Sequence, residues 1–293
     1  MDLSFLSDLL AASLTMTTPI LFAAIGETFT ERSGVVNLGI EGLMATGAFM
    51  GLWFTFISGS QWIGVLGAIV VCLLLTLVMG VVCIRIGVHQ IIGGLLLLML
   101  GDGISRFGFQ AVTTAGTYIS IQTFPAIVLG QSALVFLALF LAVLAGVILF
   151  KTTIGLKIRA VGENPRAADT VGINVNRVRF ICLLFGGAMA GIGGATLTVG
   201  ILGHFGEGMI AGRGWLAVIV VILSRWNPII AIGGSFLFGF AYSLAARLMV
   251  LGLAQVSYHF LLMLPYVLAI ITILFVYRRA RPPAGLMIPY RRE

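Results

Sequence analysis

Apolar runs alternate with short polar or turn-rich joints along almost the whole chain, at about 9–25, 35–58, 62–84, 89–104, 132–150, 180–202, 209–224, 228–250 and 258–277. A helix needs about 20 mostly apolar residues to cross the hydrocarbon core of a bilayer. The pattern therefore predicts an all-α polytopic integral membrane protein with nine to ten transmembrane helices. The runs at 89–104 and 209–224 are short for a crossing and are expected to be tilted, re-entrant or broken at their glycines. From Met1 to Asp8 there is no basic segment and no small-residue cleavage site before the first run, so that run reads as an uncleaved span.

The joint between the first two runs is the least ordinary part of the pattern. Gly26 to Gly42 holds Glu27, Glu31, Arg32, Asn37, Glu41 and four glycines between two apolar stretches. A carboxylate near the bilayer centre costs on the order of 3 kcal/mol on insertion scales, so such groups are kept where they line an aqueous path or bind something. The glycines suggest a broken helix of the kind that exposes backbone to a substrate. A cytosolic turn between spans accounts for Glu31 and Arg32, but not for Asn37 and Glu41. A spacing of four is expected to put those two on one helical face, lining the path together with Glu27.

Composition agrees: 60% of the 293 residues are hydrophobic and 9% charged, with a mean hydropathy of +1.14. This leaves no room for a sizeable soluble domain. The net charge of +7 is no sign of nucleic acid, because the basic residues sit at the ends of spans, where the positive-inside rule accounts for them. Lys151 to Arg179 holds six basic and two acidic residues, and the tail from Arg278 holds five arginines and one glutamate. Both are expected in the cytoplasm, with the N-terminus and the nearly uncharged stretch from Gly103 to Gln131 outside. That stretch is expected to be loop, marked by Gly116-Thr117-Tyr118 and Phe124-Pro125, with a short interfacial helix.

The basic segment divides one transmembrane domain (1–293) into half one (about 1–150), a cytoplasmic loop (151–179), half two (180–277) and a basic tail (278–293). Each half carries one polar, glycine-rich interruption, the second running through Gly212-Arg213-Gly214-Trp215 to Arg225-Trp226-Asn227-Pro228. Paired interruptions point to two pseudo-repeats with a site at their interface. Arg213 and Trp215 would face the first break there, the ring able to stack on a planar base. Trp226 and Arg225 suit interfacial anchoring. Gly47 with Gly51, Gly187 with Gly191, and Ser235 with Gly239 are spaced for close helix packing.

Within the loop, Glu163-Asn164-Pro165-Arg166-Ala167-Ala168-Asp169-Thr170-Val171-Gly172 reads as a short helix with Asn164 at the N-cap, Pro165 at the first position and Gly172 closing it. Two turns are too short to stand alone in water, so the helix is expected to be held by the spans or by a partner. An amphipathic loop lying on anionic lipid would explain Lys157 and Arg159 equally well.

In three segments, Gly26 to Gly47, Ala160 to Arg177 and Gly212 to Gly239, the chain resembles the permease subunits of bacterial ABC importers for nucleosides and simple sugars, within the larger group that includes ribose-type and branched-chain amino acid permeases. The core Glu31-Arg32-Ser33-Gly34-Val35-Val36-Asn37-Leu38-Gly39-Ile40-Glu41-Gly42 is similar to the nucleoside-like branch. The resemblance implies a translocation path past Asn37 to Gly42. It also implies a coupling helix, seated in a groove of a separate ATPase subunit, formed by Glu163, Asn164, Pro165, Arg166, Ala167, Ala168 and Gly172. It implies, as partners, that ATPase, a second permease (a paralogue or a second copy), an extracellular or periplasmic substrate-binding protein and the lipid bilayer of a bacterial plasma membrane. One departure stands at Leu98, where nucleoside-like members tend to carry asparagine; if that asparagine reads substrate, this chain carries a different nucleoside or a substrate outside that class.

No GxxxxGK[ST] stretch occurs, so ATP and magnesium are expected in the partner and no cofactor in this chain. HExxH, GxSxG and metal-spaced Cys/His clusters are missing too, which leaves an intramembrane enzyme or a metal site without support. His89, His204 and His259 stand singly, and Cys72, Cys83 and Cys182 lie in apolar runs as small hydrophobes. The alternative function is an ion-coupled secondary transporter of a small polar solute, using Glu27, Glu41 or Arg247. The capped cytoplasmic helix speaks against it, since a self-sufficient transporter has no partner to dock there.

Overall fold

Every apolar run becomes a helix. The computed structural model describes residues 3–114, 116, 119–250, 258–276 and 280–290. Thr117, Tyr118, the tail arginines Arg278, Arg279, Arg291 and Arg292, Glu293 and the side chain of His259 lie outside the described residues. The helices are α1 (Leu3–Arg32), α2 (Ile40–Ser58), α3 (Gln61–Gly80), α4 (Gln90–Thr114), α5 (Ala133–Lys151), α6 (Thr153–Glu163), α7 (Pro165–Thr170), α8 (Val175–Ala195), α9 (Arg213–Leu223), α10 (Pro228–Val250) and α11 (Tyr258–Val276). Widened π-helical turns, Val81–Ile86 and Thr196–Leu202, prolong α3 and α8. Seven of the described helices are long and apolar enough to cross a membrane. Hydroxyls within them do not need outside partners: Ser13, Thr17 and Thr28 each bond the carbonyl four residues back.

Two expectations change here. The run at 89–104 is not short, because α4 continues for 25 residues to Thr114; Asp102 and Arg106 are tolerated within it as a pair at 2.8 Å one turn apart. Among its described residues the connection from α4 to α5 then carries no helix; it forms a two-stranded hairpin, β1 (Ala126–Val128) with β2 (Gln131–Ser132). The run at 209–224 is truly short: α9 has 11 residues, about 16 Å, half the hydrocarbon thickness.

The bundle has two ends. At the hairpin end Gln131 binds Thr15 and Ala11, and Gln61 binds the Gln122 carbonyl; at the loop end, with α6 and α7, Arg32 holds the Arg225 and Trp226 carbonyls. Packing across the bundle is reciprocal: α1 lies along α10 and α8, while α8 lies along α3 and α2. Glycines set the spacing. A side chain at Gly47 would strike the backbone of Gly191, one at Gly51 would meet the Ala195 methyl, and one at Gly239 would meet Thr17 and the Ser13 carbonyl. The cysteines are free and buried.

Candidate substrate pathway and coupling site

The first break differs from the expected one in where it starts. Helix α1 continues through Gly26, Glu27 and Glu31 to Arg32, and only residues 33–39 leave the helical path before α2 begins at Ile40. Backbone N–H groups inside a membrane protein must be satisfied internally, and Glu27, Asn37 and Gln90 serve that need here. The Val36 N–H donates to Gln90 Oε1 at 2.9 Å, the Asn37 N–H to Glu27 Oε1 at 2.9 Å, and the Gly39 N–H to Asn37 Oδ1 at 3.0 Å. Gly34 makes the reversal at φ +91°, where a side chain would also crowd Arg179 and Gly285. Asn37 precedes α2, so it does not share a helical face with Glu41. Glu27 and Asn37 are fully buried, and Glu27 Oε2 and Asn37 Nδ2 keep unmet hydrogen-bonding capacity.

Glu41 does something different. It stands in the first turn of α2 and reaches across to the first turn of α9, accepting the Gly212 N–H at 2.8 Å and the Gly214 N–H at 2.7 Å, one on each carboxylate oxygen. Those are orphan donors of a helix start, where the helix dipole favours an anion. Thus α2 runs from inside the bundle to the hairpin end, α9 runs from inside the bundle to the loop end, and their N-termini meet through one carboxylate. Gly212 (φ +73°) turns the chain into α9, and the preceding Ala211 carbonyl accepts from the hydroxyls of Tyr242, at 3.0 Å, and Tyr266.

Beside this junction lies a cavity of about 290 Å³, walled by Glu41, Leu98, Asp102, Ser105, Arg106, Phe205 and Trp215, with the 208–211 turn. Trp215 is 38% exposed. Arg106 bridges from Asp102 on α4 toward Glu207, 3.9 Å away on the turn before α9. Of the five pathway residues expected from sequence, Glu41 and Trp215 wall the cavity, whereas Glu27 and Asn37 secure the break. Arg213 turns away: it holds the Met209 and Ile210 carbonyls and stacks over the Tyr242 ring at 4.3 Å. Leu98 presents an apolar wall beside Glu41.

At the loop end the short helix forms as its caps dictate. Asn164 Oδ1 accepts the Ala167 N–H at 3.1 Å, Pro165 occupies the first turn, and Gly172 follows at φ +84°. A preceding helix, α6, is capped by Thr152 and has no counterpart among the sequence expectations. Ala168 packs inward with Val161 and Val175; Glu163, Asn164, Arg166, Ala167, Val171 and Gly172 face out, Val171 at 75% exposure.

Trp226 is corrected. It is 3% exposed and donates its indole N–H to Glu31 at 2.5 Å, so it joins α1 to the α9–α10 turn and does not anchor the protein in an interface. Glu31 is buried by the same contact. Arg247, which an ion-coupled transporter would use, lies 3.7 Å from Asp8 and over the Phe5 ring. Among the described residues no three His, Cys, Asp or Glu side chains are grouped to hold a metal. Sequence reasoning missed Gln90, Val171 and Arg179. The first looks like a span-edge glutamine, the second like a loop valine, and the third like one more positive charge.

The family model described as branched-chain amino acid transport system / permease component matches residues 9–277. The chain is 34% identical to the nucleoside ABC transporter permease protein NupC of Lactococcus lactis, covering 94% of each chain. It is 34% identical to the guanosine ABC transporter permease protein NupQ of Bacillus subtilis, covering 97% of each. With the putative glucose ABC transporter permease protein TsgC13 of Haloferax volcanii it shares 35% identity over 86% of this chain and 81% of the relative. The apolar helices, the broken pair α2 and α9 and these matches agree: the chain belongs to the branched-chain amino acid transport system permease family, as a multi-pass membrane transport component and not an enzyme.

Proposed function

We propose that this chain is the permease subunit of an ABC importer for nucleosides, in which the cavity beside Glu41 lies on the translocation path. The observation that carries this reading is the meeting of the N-termini of α2 and the short helix α9 at Glu41, beside a cavity with aromatic and polar walls. Phe205 and Trp215 supply apolar surface for a planar base, and Asp102 and Ser105 supply acceptors for hydroxyls. The cavity is at the small end of ligand-pocket sizes. The relatives named for nucleosides and guanosine support this substrate class; the glucose relative supports a simple sugar as the second reading. Leu98 removes a polar group from the wall and favours a base contacted through its apolar face.

Energy comes from a separate ATP-hydrolysing subunit, which holds ATP and magnesium. Substrate arrives on an extracellular binding protein, and a second permease, a paralogue or a second copy, completes the path. The basic loop supports placing the loop end and the C-terminus in the cytoplasm and the N-terminus outside. The outward face of α7, from Glu163 to Gly172 with Val171 at its tip, is the docking surface for the ATPase. The two pseudo-repeats correspond to α1–α4 and α8–α11, as the reciprocal packing supports.

The test is uptake by the complete transporter in proteoliposomes, with nucleoside and plain sugar compared. Trp215→Ala is expected to lower nucleoside uptake about tenfold, the value of a lost base–aromatic stack, with sugar uptake, where measurable, unchanged. Equal loss of both, in proportion to protein in the membrane, would remove Trp215 from the path.

A further inference from the structure

The segment after α11 comes back to the loop end of the bundle. The Gly285 N–H donates to the Gly162 carbonyl at 2.8 Å, where α6 gives way to α7, and the Met287 N–H donates to the Gly34 carbonyl at 3.1 Å, in the break after α1. Arg179, in the second turn of α8 and 2% exposed, stands between them. Its Nε donates to the Ser33 carbonyl at 3.2 Å, Nη1 to Ile288 at 2.9 Å and Nη2 to Gly285 at 3.3 Å. Among the described residues no carboxylate pairs with it. A buried guanidinium held only by carbonyls is a costly arrangement to keep for stability alone.

At its glycines the junction is tightly packed. A methyl group on Gly285 would meet the Gly162 carbonyl at 2.8 Å and Pro165 Cδ at 3.1 Å; one on Gly34 would meet Arg179 Nη2 at 2.8 Å and the Gly285 carbonyl at 3.0 Å; one on Gly162 would collide with the Arg32 carbonyl. The α6–α7 corner, the tail, the start of α8 and the break after α1 therefore meet around one planar cation. The break in turn holds Glu27 and Asn37 and leads directly to Glu41.

We infer that Arg179 and the tail segment 285–288 form a rigid tie, through which displacement of the α6–α7 corner reaches the break after α1. Arg179 is thus a positioning residue for transport, acting through the carbonyls of Ser33, Gly285 and Ile288. This inference rests on the reading of α7 as the ATPase docking surface. Coupling of this kind travels through contiguous packed and hydrogen-bonded groups with discrete arrangements. A tie of backbone carbonyls on a guanidinium is stiff, since the fork fixes the direction of every donor.

The test measures substrate imported per ATP hydrolysed, in the complete transporter with its ATPase and binding protein, for Arg179→Lys, Arg179→Gln and Gly285→Val. The parent's membrane yield and retained ATPase subunit are the reference. The tie predicts that all three retain the ATPase subunit and hydrolyse ATP, while substrate per ATP falls about tenfold. Arg179→Lys is expected to restore protein yield without restoring the ratio, because an ammonium cannot serve three carbonyls fixed around a plane. An unchanged ratio in the protein that folds, whatever the yield, overturns the tie and leaves Arg179 a structural residue. If Val171→Asp leaves both ATPase retention and uptake intact, the docking reading fails first and the tie with it; if Val171→Asp abolishes retention while the Arg179 ratio is unchanged, the tie alone fails.

Discussion

Glu41 shows how one side chain is placed by two demands at once. It begins α2, and it ends the search of α9 for an acceptor, taking two backbone N–H groups at 2.7 and 2.8 Å. An orphan donor inside a protein costs about 1–3 kcal/mol. Glu41→Gln offers one acceptor and one donor to two N–H groups, so one of them is left facing an amide N–H. We expect this variant to insert at the parent's level and to lose uptake about tenfold, the effect of roughly 1.4 kcal/mol on the junction. Uptake assayed against membrane content checks it; parental uptake would mean that the junction does not govern transport. Glu27 and Asn37 behave differently from this. They are spent on the backbone of the break.

At the scale of elements, the caps of α7 were legible because capping is local: Asn164, Pro165 and Gly172 each act within a few residues of their own position. Which face of α7 is left exposed was not legible, because that depends on α6 and α8. The small core of Val161, Ala168 and Val175 turns Ala168 inward. This separates the expected behaviour of two substitutions. Ala168→Arg drives a charge into that core and is expected to reduce folded protein in the membrane. Val171→Asp places a charge on the exposed tip and is expected to leave yield unchanged while cutting retention of the ATPase subunit about tenfold or more, the size expected for losing an apolar anchor at the centre of an interface. Co-purification of the two subunits, normalised to permease, separates these outcomes. Full retention with Val171→Asp would move the docking surface elsewhere.

The whole molecule is assembled by close approach of its helices, because lipid gives apolar faces no reason to separate from it. At Gly47 the approach of α2 and α8 leaves no room for a side chain, whereas Gly103 on α4 faces open space. Gly47→Leu is expected to destabilise the bundle by about 1–3 kcal/mol or to prevent assembly, seen as a lower midpoint of thermal unfolding in detergent and reduced yield; Gly103→Leu should leave both unchanged. Similar loss at the two positions would show that the close approach at Gly47 is not what holds the bundle, since leucine is the better helix former at both. The same close packing explains why α1, apolar on every side, is buried through most of its length and still accommodates Glu27, Thr28 and Thr30.

Hydrophobic runs and their joints were enough to set the class, the helices that fill the apolar runs, the two polar breaks and the capped loop, since each depends on residues near one another in sequence. Gly26 to Gly42 also announced a break, yet the helix persists to Arg32 because Trp226, 195 residues away, satisfies Glu31 and lets the polar turn stay buried. The tertiary structure alone decided which polar groups face the cavity and which serve the backbone: Glu41 finds Gly212 and Gly214, Asn37 finds Glu27, Val36 finds Gln90 and Arg179 finds the tail. Each polar group's role is set by the partner it meets across the bundle, and a partner distant in the chain leaves no periodicity to read.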